Sequence, residues 1–95
     1  MAAFAVFIRD STSDPAEMEK YSQMAGATLV GHQARILAAY GRQEVLEGPD
    51  VEGVVIVEFP SIEAAKTWYE SPAYREAREH RFQGAKYRAV IVEGL

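Results

Sequence analysis

The chain has 95 residues, of which 48% are hydrophobic and 25% charged, a composition typical of one globular domain over residues 1–95. It contains no cysteine, which excludes disulfides, thiolate metal sites, iron–sulfur clusters and cysteine nucleophiles. The net charge of -4 disfavours nucleic acid and anionic membranes as partners, and no run reaches the roughly 20 apolar residues that span a bilayer. We therefore expect a small cytoplasmic protein, which gains stability by association.

The first half of the chain predicts a strand, a helix and a second strand. Residues 3–9 are rich in Phe, Val and Ile and end at a polar cluster, as strands do. Asp14 suits a helix N-cap, Pro15 the first helical position and Glu17 a capping box, and Gly31 is the expected helix end. The elements that follow are a strand over 34–40, a short extended piece over 44–47 and a turn at 48–50.

The second half predicts a strand, two helices and a last strand. Residues 53–59 form the third strand, which Pro60 ends because proline cannot donate to the ladder. Ser61 caps the second helix, and Ser71 with Pro72 repeats the start signal, so a third helix follows and ends at Gly84. The charged run R-E-A-R-E-H-R at 75–81 indicates a solvated helix face. Residues 86–93 are the last strand.

The order β-α-β-β-α-β predicts an α+β, ferredoxin-like sandwich, with a four-stranded antiparallel sheet and helices on one face. A period of two assigns each strand residue to a face. One register puts these residues on the helix-free face: Phe7, Arg9, Arg35, Leu37, Ala39, Val54, Ile56, Glu58, Arg88, Val90 and Val92. Because so large an apolar face is rarely left open, we expect a homodimer that covers it.

Several segments resemble a known family. They are G-H at 31–32, E-V-L-E-G at 44–48, V-I-V-E-F-P-S at 55–61, A-x-x-W-Y at 65–69 and S-P-x-Y at 71–74. Together they resemble the small bacterial family called domain of unknown function 1330, over nearly the whole chain. The resemblance implies a dimeric α/β barrel of two ferredoxin-like protomers. Its superfamily includes cofactor-free monooxygenases, isomerases, dehalogenase-like and decarboxylating enzymes, and non-catalytic stress proteins, and the family itself has no established reaction.

Two residues are candidates for proton transfer. Glu58 ends an apolar strand, and a carboxyl group buried in a barrel has a raised pKa that suits a general base. The alternative is a structural carboxylate that pairs with Arg9 or Arg35 or caps nearby backbone amides. His32 is the second candidate, because imidazole titrates near neutral pH and the family resemblance favours a place in the pocket. The alternative is a surface histidine at a helix C-terminus.

The substrate-binding candidates surround these two in the predicted cavity. Arg9 or Arg35 is expected to hold a carboxylate or a developing oxyanion. Tyr40, Tyr69 or Tyr74 is expected to donate a hydroxyl, whereas Trp68 is assigned to the core.

The sequence contains no metal-ligand spacing and no nucleotide-binding loop, so no cofactor is predicted. Two functions stay open. One is an enzyme that acts without cofactor on a small organic, partly apolar and anionic molecule. The other is a non-catalytic dimer that binds a small ligand or serves in a stress response.

Overall fold

The computed structural model describes all 95 residues, which form four strands, three α-helices and one 3-10 helix. In chain order the elements are β1 (Ala3–Thr12), α1 (Pro15–Ala25), the 3-10 helix (Gly26–Leu29), β2 (Arg35–Ala39), β3 (Gly53–Phe59), α2 (Ile62–Tyr69), α3 (Pro72–Gly84) and β4 (Ala85–Glu93). The strands form one sheet in the order β2-β3-β1-β4, with every neighbouring pair antiparallel. The predicted ferredoxin-like α+β fold is confirmed.

All three α-helices begin at the predicted caps. The Asp14 carboxylate accepts from the backbone N–H of Ala16, Ser61 Oγ accepts from Ala64 N at 3.0 Å, and Ser71 caps α3. The reciprocal half of the expected capping box is absent. The Asp14 N–H donates instead to Gly84 O at 3.0 Å, because the end of α3 packs against the start of α1.

Two boundaries differ from the prediction by more than one residue. Helix α1 ends at Ala25, and the remaining turn before Gly31 is a 3-10 helix rather than α-helix. Strand β1 continues to Thr12, since a register shift lets its polar end pair with β4. The predicted extended piece over 44–47 lies outside the sheet, in a stretch, 41–52, that is almost entirely exposed.

The predicted register is correct for β3 and β4 but wrong for β1. Phe7 and Arg9 lie on the helix side, where Phe7 pairs with Val55, and Val6 and Ile8 lie on the helix-free face. Both sets of β1 side chains are apolar, so period two does not distinguish the faces. A bulge in β2 also turns Ala39 to the helix side.

The core is an aromatic cluster between the sheet and the helices. Trp68 lies at its centre, with its ring 4.1 Å from that of Tyr74 and 5.4 Å from that of Phe59, measured between centroids. The indole N–H of Trp68 donates to Thr28 Oγ1 at 3.0 Å, so its one polar atom is satisfied. The assignment of Trp68 to the core is confirmed.

The opposite face of the sheet has no covering element and is apolar over most of its area. Val90 is 57% exposed and Val92 51% exposed on this face. Its charged residues lie near its ends, where Arg35 pairs with Glu58 and Arg88 pairs with Asp10. None of the helices has the length and hydrophobicity that a membrane crossing requires.

Candidate functional site

A cavity of about 320 Å³ lies between the helix side of the sheet and α1. Phe7, Val55 and Val57 form its floor, and Met18 and Leu29 belong to the opposite wall. Of the 14 lining residues 11 are hydrophobic, a predominance that is usual in small-molecule sites. The volume is sufficient for a small organic ligand.

Polar groups of the cavity include a paired arginine and a tyrosine. The Arg9 guanidinium lies 4.8 Å from the centroid of the Tyr40 ring, and both residues line the cavity. Arg9 Nε is 3.2 Å from Glu52 Oε1, an ion pair that lacks the alignment of a hydrogen bond. Glu52 Oε1 also accepts from Thr12 Oγ1 at 2.6 Å. The charge of Arg9 is therefore balanced from the solvent side.

Four tyrosine hydroxyls form two pairs. The hydroxyl oxygens of Tyr40 and Tyr87 are 2.5 Å apart, and those of Tyr21 and Tyr74 are 2.8 Å apart. Burial raises the pKa values of Tyr21, Tyr74 and Tyr87, so these hydroxyls are neutral at physiological pH. Tyr21 and Tyr40 line the cavity. Each pair can therefore offer a hydroxyl donor to a ligand.

Tyr40 has an unusual backbone and a closely packed ring. Its φ is 57°, in the left-handed region that residues with a side chain rarely adopt. The ring lies against Gly53 so closely that a Cβ added there would clash with Tyr40 Cδ1. Strained residues occur often at functional sites, where the surrounding structure holds them in place. Gly53 is thus required for the position of Tyr40.

A Gly53→Ala substitution is expected to displace the Tyr40 ring and to lower the free energy of unfolding by about 1–3 kcal/mol, as overpacking does. Denaturation with urea measures the change. In a Tyr40→Ala protein, Gly53→Ala should cost much less free energy of unfolding than it does in the parent, because the clashing ring is then gone. A Gly53→Ala protein as stable as the parent, with an unchanged Tyr40 environment by NMR, would contradict this account.

The structure brings together only part of the predicted site. Arg9 and Tyr40 line the cavity, and Tyr74 lies behind it through its bond to Tyr21. Tyr69 faces a second hollow beside β4, where Lys66 is the only charged lining residue. No group of three His, Asp or Glu side chains is arranged to hold a metal ion.

Glu58, Arg35 and His32 do not line the cavity between the sheet and α1, and their roles in the barrel of a dimer stay predictions. Glu58 lies on the helix-free face, because Val57 and Phe59 on either side of it face the helices. Its Oε1 is 3.5 Å from Arg35 Nε, consistent with the alternative of a paired structural carboxylate. His32 follows the 3-10 helix, and its side chain makes no hydrogen bond.

Arg81 is buried, contrary to the predicted solvated face at 75–81. Its exposed fraction is 3%, and it belongs to a buried stripe of α3 with Tyr74, Ala77 and Gly84. The spacing of that stripe follows the helical period, which is the signal that would have identified Arg81. Tyr21 and Tyr87 are not among the predicted site residues, and nothing local in the sequence indicates that their hydroxyls pair with those of Tyr74 and Tyr40.

The fold and the cavity define a ferredoxin-like α+β protein with a ligand-sized space between the sheet and its first helix. The chain belongs to the family described as Domain of unknown function (DUF1330), whose model matches residues 2–95. The resemblance found in the sequence is confirmed. No protein of curated function matches the chain.

Several solved structures have a similar fold. A protein of unknown function from Rhodopseudomonas palustris is 22% identical, with a TM-score of 0.74 over 99% of this chain and 82% of that one. A dimeric ferredoxin-like protein of unknown function from Jannaschia sp. CCS1 is 10% identical, with a TM-score of 0.75 over 99% and 100%. SnoaB from Streptomyces nogalater, a cofactor-independent oxygenase, is 12% identical, with a TM-score of 0.57 over 99% and 92%. At these identities the similarity shows the fold alone.

Proposed function

We propose that this protein binds a small, largely apolar organic molecule in the cavity between the sheet and α1, and converts it without a cofactor. The observation that carries the proposal is an apolar cavity of about 320 Å³ with Arg9, Tyr21 and Tyr40 in its wall. In such a site the apolar walls supply affinity, and the few polar groups orient an oxygen-bearing group of the ligand.

The chemistry that suits these residues is stabilisation of an oxyanion. Tyrosine hydroxyls and a guanidinium in an apolar wall stabilise charge that develops on an enolate or phenolate oxygen. Tyr21 stays protonated because burial raises its pKa, so it acts as a donor. The similar fold of SnoaB, a cofactor-independent oxygenase, adds support for an enzyme that needs no cofactor.

A non-catalytic ligand-binding or stress-response protein is the second candidate. One observation favours it: Glu58 and His32, the residues expected to move a proton, are both absent from the cavity wall. Their catalytic roles stay predictions. Turnover of a bound compound separates the two candidates, since a sensor or carrier releases its ligand unchanged.

We also propose that two single-domain protomers, each spanning residues 1–95, associate through their helix-free sheet faces into an α/β barrel. The apolar face that includes Val6, Ile56 and Val90 supports this arrangement. The neighbour from Jannaschia sp. CCS1 is described as dimeric. In such a dimer the pair of Glu58 and Arg35 lies at the edge of the interface.

Binding is tested with a panel of small aromatic and aliphatic acids, ketones and amides, by ligand-observed NMR. We expect at least one compound to bind, and Arg9→Met to weaken it about tenfold or more, the loss typical of a hydrogen bond to a charged group. Arg75→Met, which changes an exposed arginine of α3, is the matched control. Equal affinity in Arg9→Met and the parent, or no bound compound, would contradict the proposal.

The same panel tests Glu58. If Glu58 takes part in chemistry, Glu58→Gln keeps ligand affinity and loses turnover. If it is a structural partner of Arg35, the variant changes stability and leaves both ligand properties unchanged.

A further inference from the structure

Arg81 is buried and has no carboxylate partner, whereas the half-buried arginines Arg9 and Arg78 each have one. Arg9 pairs with Glu52, and Arg78 Nη1 lies 3.3 Å from Glu70 Oε1. Arg81 is 3% exposed, makes no ion pair, and its Nε has no hydrogen-bond partner. A buried cation in this situation needs a compensating charge or dipole.

The surroundings of Arg81 compensate its charge only in part. Its guanidinium carbon is 5.0 Å from the ring centroids of Phe82 and Tyr87 and 5.5 Å from that of Phe7. The residue also lies in the last turn of α3, where the helix dipole favours a cation. Both effects are weaker than the cost of removing an unpaired ion from water.

The residues around Arg81 reach the cavity. Phe7 lies against the guanidinium and also lines the cavity floor. Tyr74 lies close enough for the charge of Arg81 to oppose the rise that burial causes in the pKa of Tyr74. Tyr74 in turn bonds to Tyr21 at the cavity wall. Arg81 therefore lies behind the hydroxyl pair, and the pair connects it to the cavity.

The charges of the cluster sum to a single positive charge. Glu52 balances Arg9, Tyr21 and Tyr74 are neutral because burial raises their pKa values, and Arg81 is left over. Either hydroxyl of the pair can be the donor, and a cation near the Tyr74 oxygen favours the arrangement in which its lone pairs face the charge and its hydrogen points to Tyr21. The hydrogen of the Tyr21 hydroxyl is then free to point into the cavity as a donor.

We propose that Arg81 is a positioning residue that makes the cavity selective for an organic molecule with one negatively charged oxygen group, by orienting the Tyr74 and Tyr21 hydroxyls toward it. The inference rests on the proposed function and names the charge class of its ligand. A monocarboxylate, an enolate and a phenolate share this chemistry, whereas a neutral isostere lacks the charge that Arg81 attracts.

The test compares matched anionic and neutral probes: benzoate with benzamide, and phenylacetate with phenylacetamide. We expect the protein to bind each anion more tightly than its amide. Arg81→Met should reduce that preference about tenfold or more, as expected for loss of an unpaired charge in a protein interior. Arg81→Lys should restore part of it. Arg78→Met, which changes an arginine one turn away on α3, should leave the preference unchanged.

Stability separates this role from a merely structural one. Replacing an unpaired buried charge by an apolar side chain often leaves a protein equally stable or stabilises it. We therefore expect Arg81→Met to unfold at the same temperature as the parent or higher. If Arg81→Met does not fold, Tyr21→Phe serves instead: it keeps the ring, removes the terminal hydroxyl and should abolish the preference.

The outcomes are distinct. If the anions bind and the preference survives in Arg81→Met, or in Tyr21→Phe where that variant replaces it, this inference is overturned and the proposed function stands. If the amides bind as tightly as the anions in the unaltered protein, the inference is likewise overturned. If none of the four probes binds, the inference is overturned, and the broader panel of acids, ketones and amides decides whether the proposed function stands.

Discussion

Ile56→Asp is expected to dissociate the proposed dimer and to destabilise the protomer at the same time. Ile56 lies on the helix-free face in β3, with Val6 of β1 and Ala38 of β2 as its cross-strand partners. A carboxylate buried there has no partner, which costs several kcal/mol or forces uptake of a proton. Folding and association are coupled, because a chain of this size has little core to lose.

Sedimentation velocity over a concentration series measures the association, and urea denaturation measures the stability. Val30→Asp is the matched control, since Val30 is 81% exposed and lies in the turn after the 3-10 helix. The control should remain dimeric. A well-folded Ile56→Asp dimer would place the interface elsewhere, and a monomeric mass for the unaltered protein at every concentration would remove the dimer altogether.

Trp68→Ala is expected to lower the free energy of unfolding by about 3–5 kcal/mol, the usual loss for a large buried aromatic. Trp68 contacts the rings of Phe59 and Tyr74 and also borders the cavity, so the space it leaves is not refilled by a neighbour. Small domains have about 5–15 kcal/mol in total, and the variant therefore approaches the limit of folding. Because Trp68 is the only tryptophan, unfolding is followed by circular dichroism.

Trp68→Phe is the companion variant, because it keeps an aromatic ring and removes the indole N–H. Thr28 keeps its own bond to Ala25 O at 2.6 Å, so the lost bond from Trp68 should cost about 1 kcal/mol beyond the change of ring size. Adding Thr28→Val to Trp68→Phe should then cost less than Thr28→Val alone in the parent. If the free energy of unfolding of Trp68→Ala were within about 1 kcal/mol of the parent value, the central role of this residue would be refuted.

The helix starts were predictable because their causes are local. Asp14, Ser61 and Ser71 each accept from an N–H only two or three residues ahead, and proline follows two of them directly. The end of α1 was harder to predict from the sequence. Gly31 marks the last turn, but packing decides that this turn is a 3-10 helix beginning at Gly26.

The faces of the strands were predictable only where one face is clearly more polar. In β3 the carboxylate of Glu58 indicates the helix-free side, and that assignment is correct. In β1 both sides are apolar, and the choice was made by packing of Phe7 against Trp68 and Tyr74. That choice also carried Arg9 to the cavity, whereas the same alternation kept Glu58 away from it.

The order of elements, the helix caps and the need to cover an apolar sheet face follow from the amino-acid pattern alone, because they depend on neighbours in the chain and on hydrophobic burial. The composition of the site depends on contacts between distant residues. Arg9, Tyr40, Arg81 and Tyr87 belong to four segments, and they come together because β1 lies between β3 and β4 with α3 packed beside it. No local signal encodes which distant hydroxyl meets which guanidinium, so only the tertiary structure decided it.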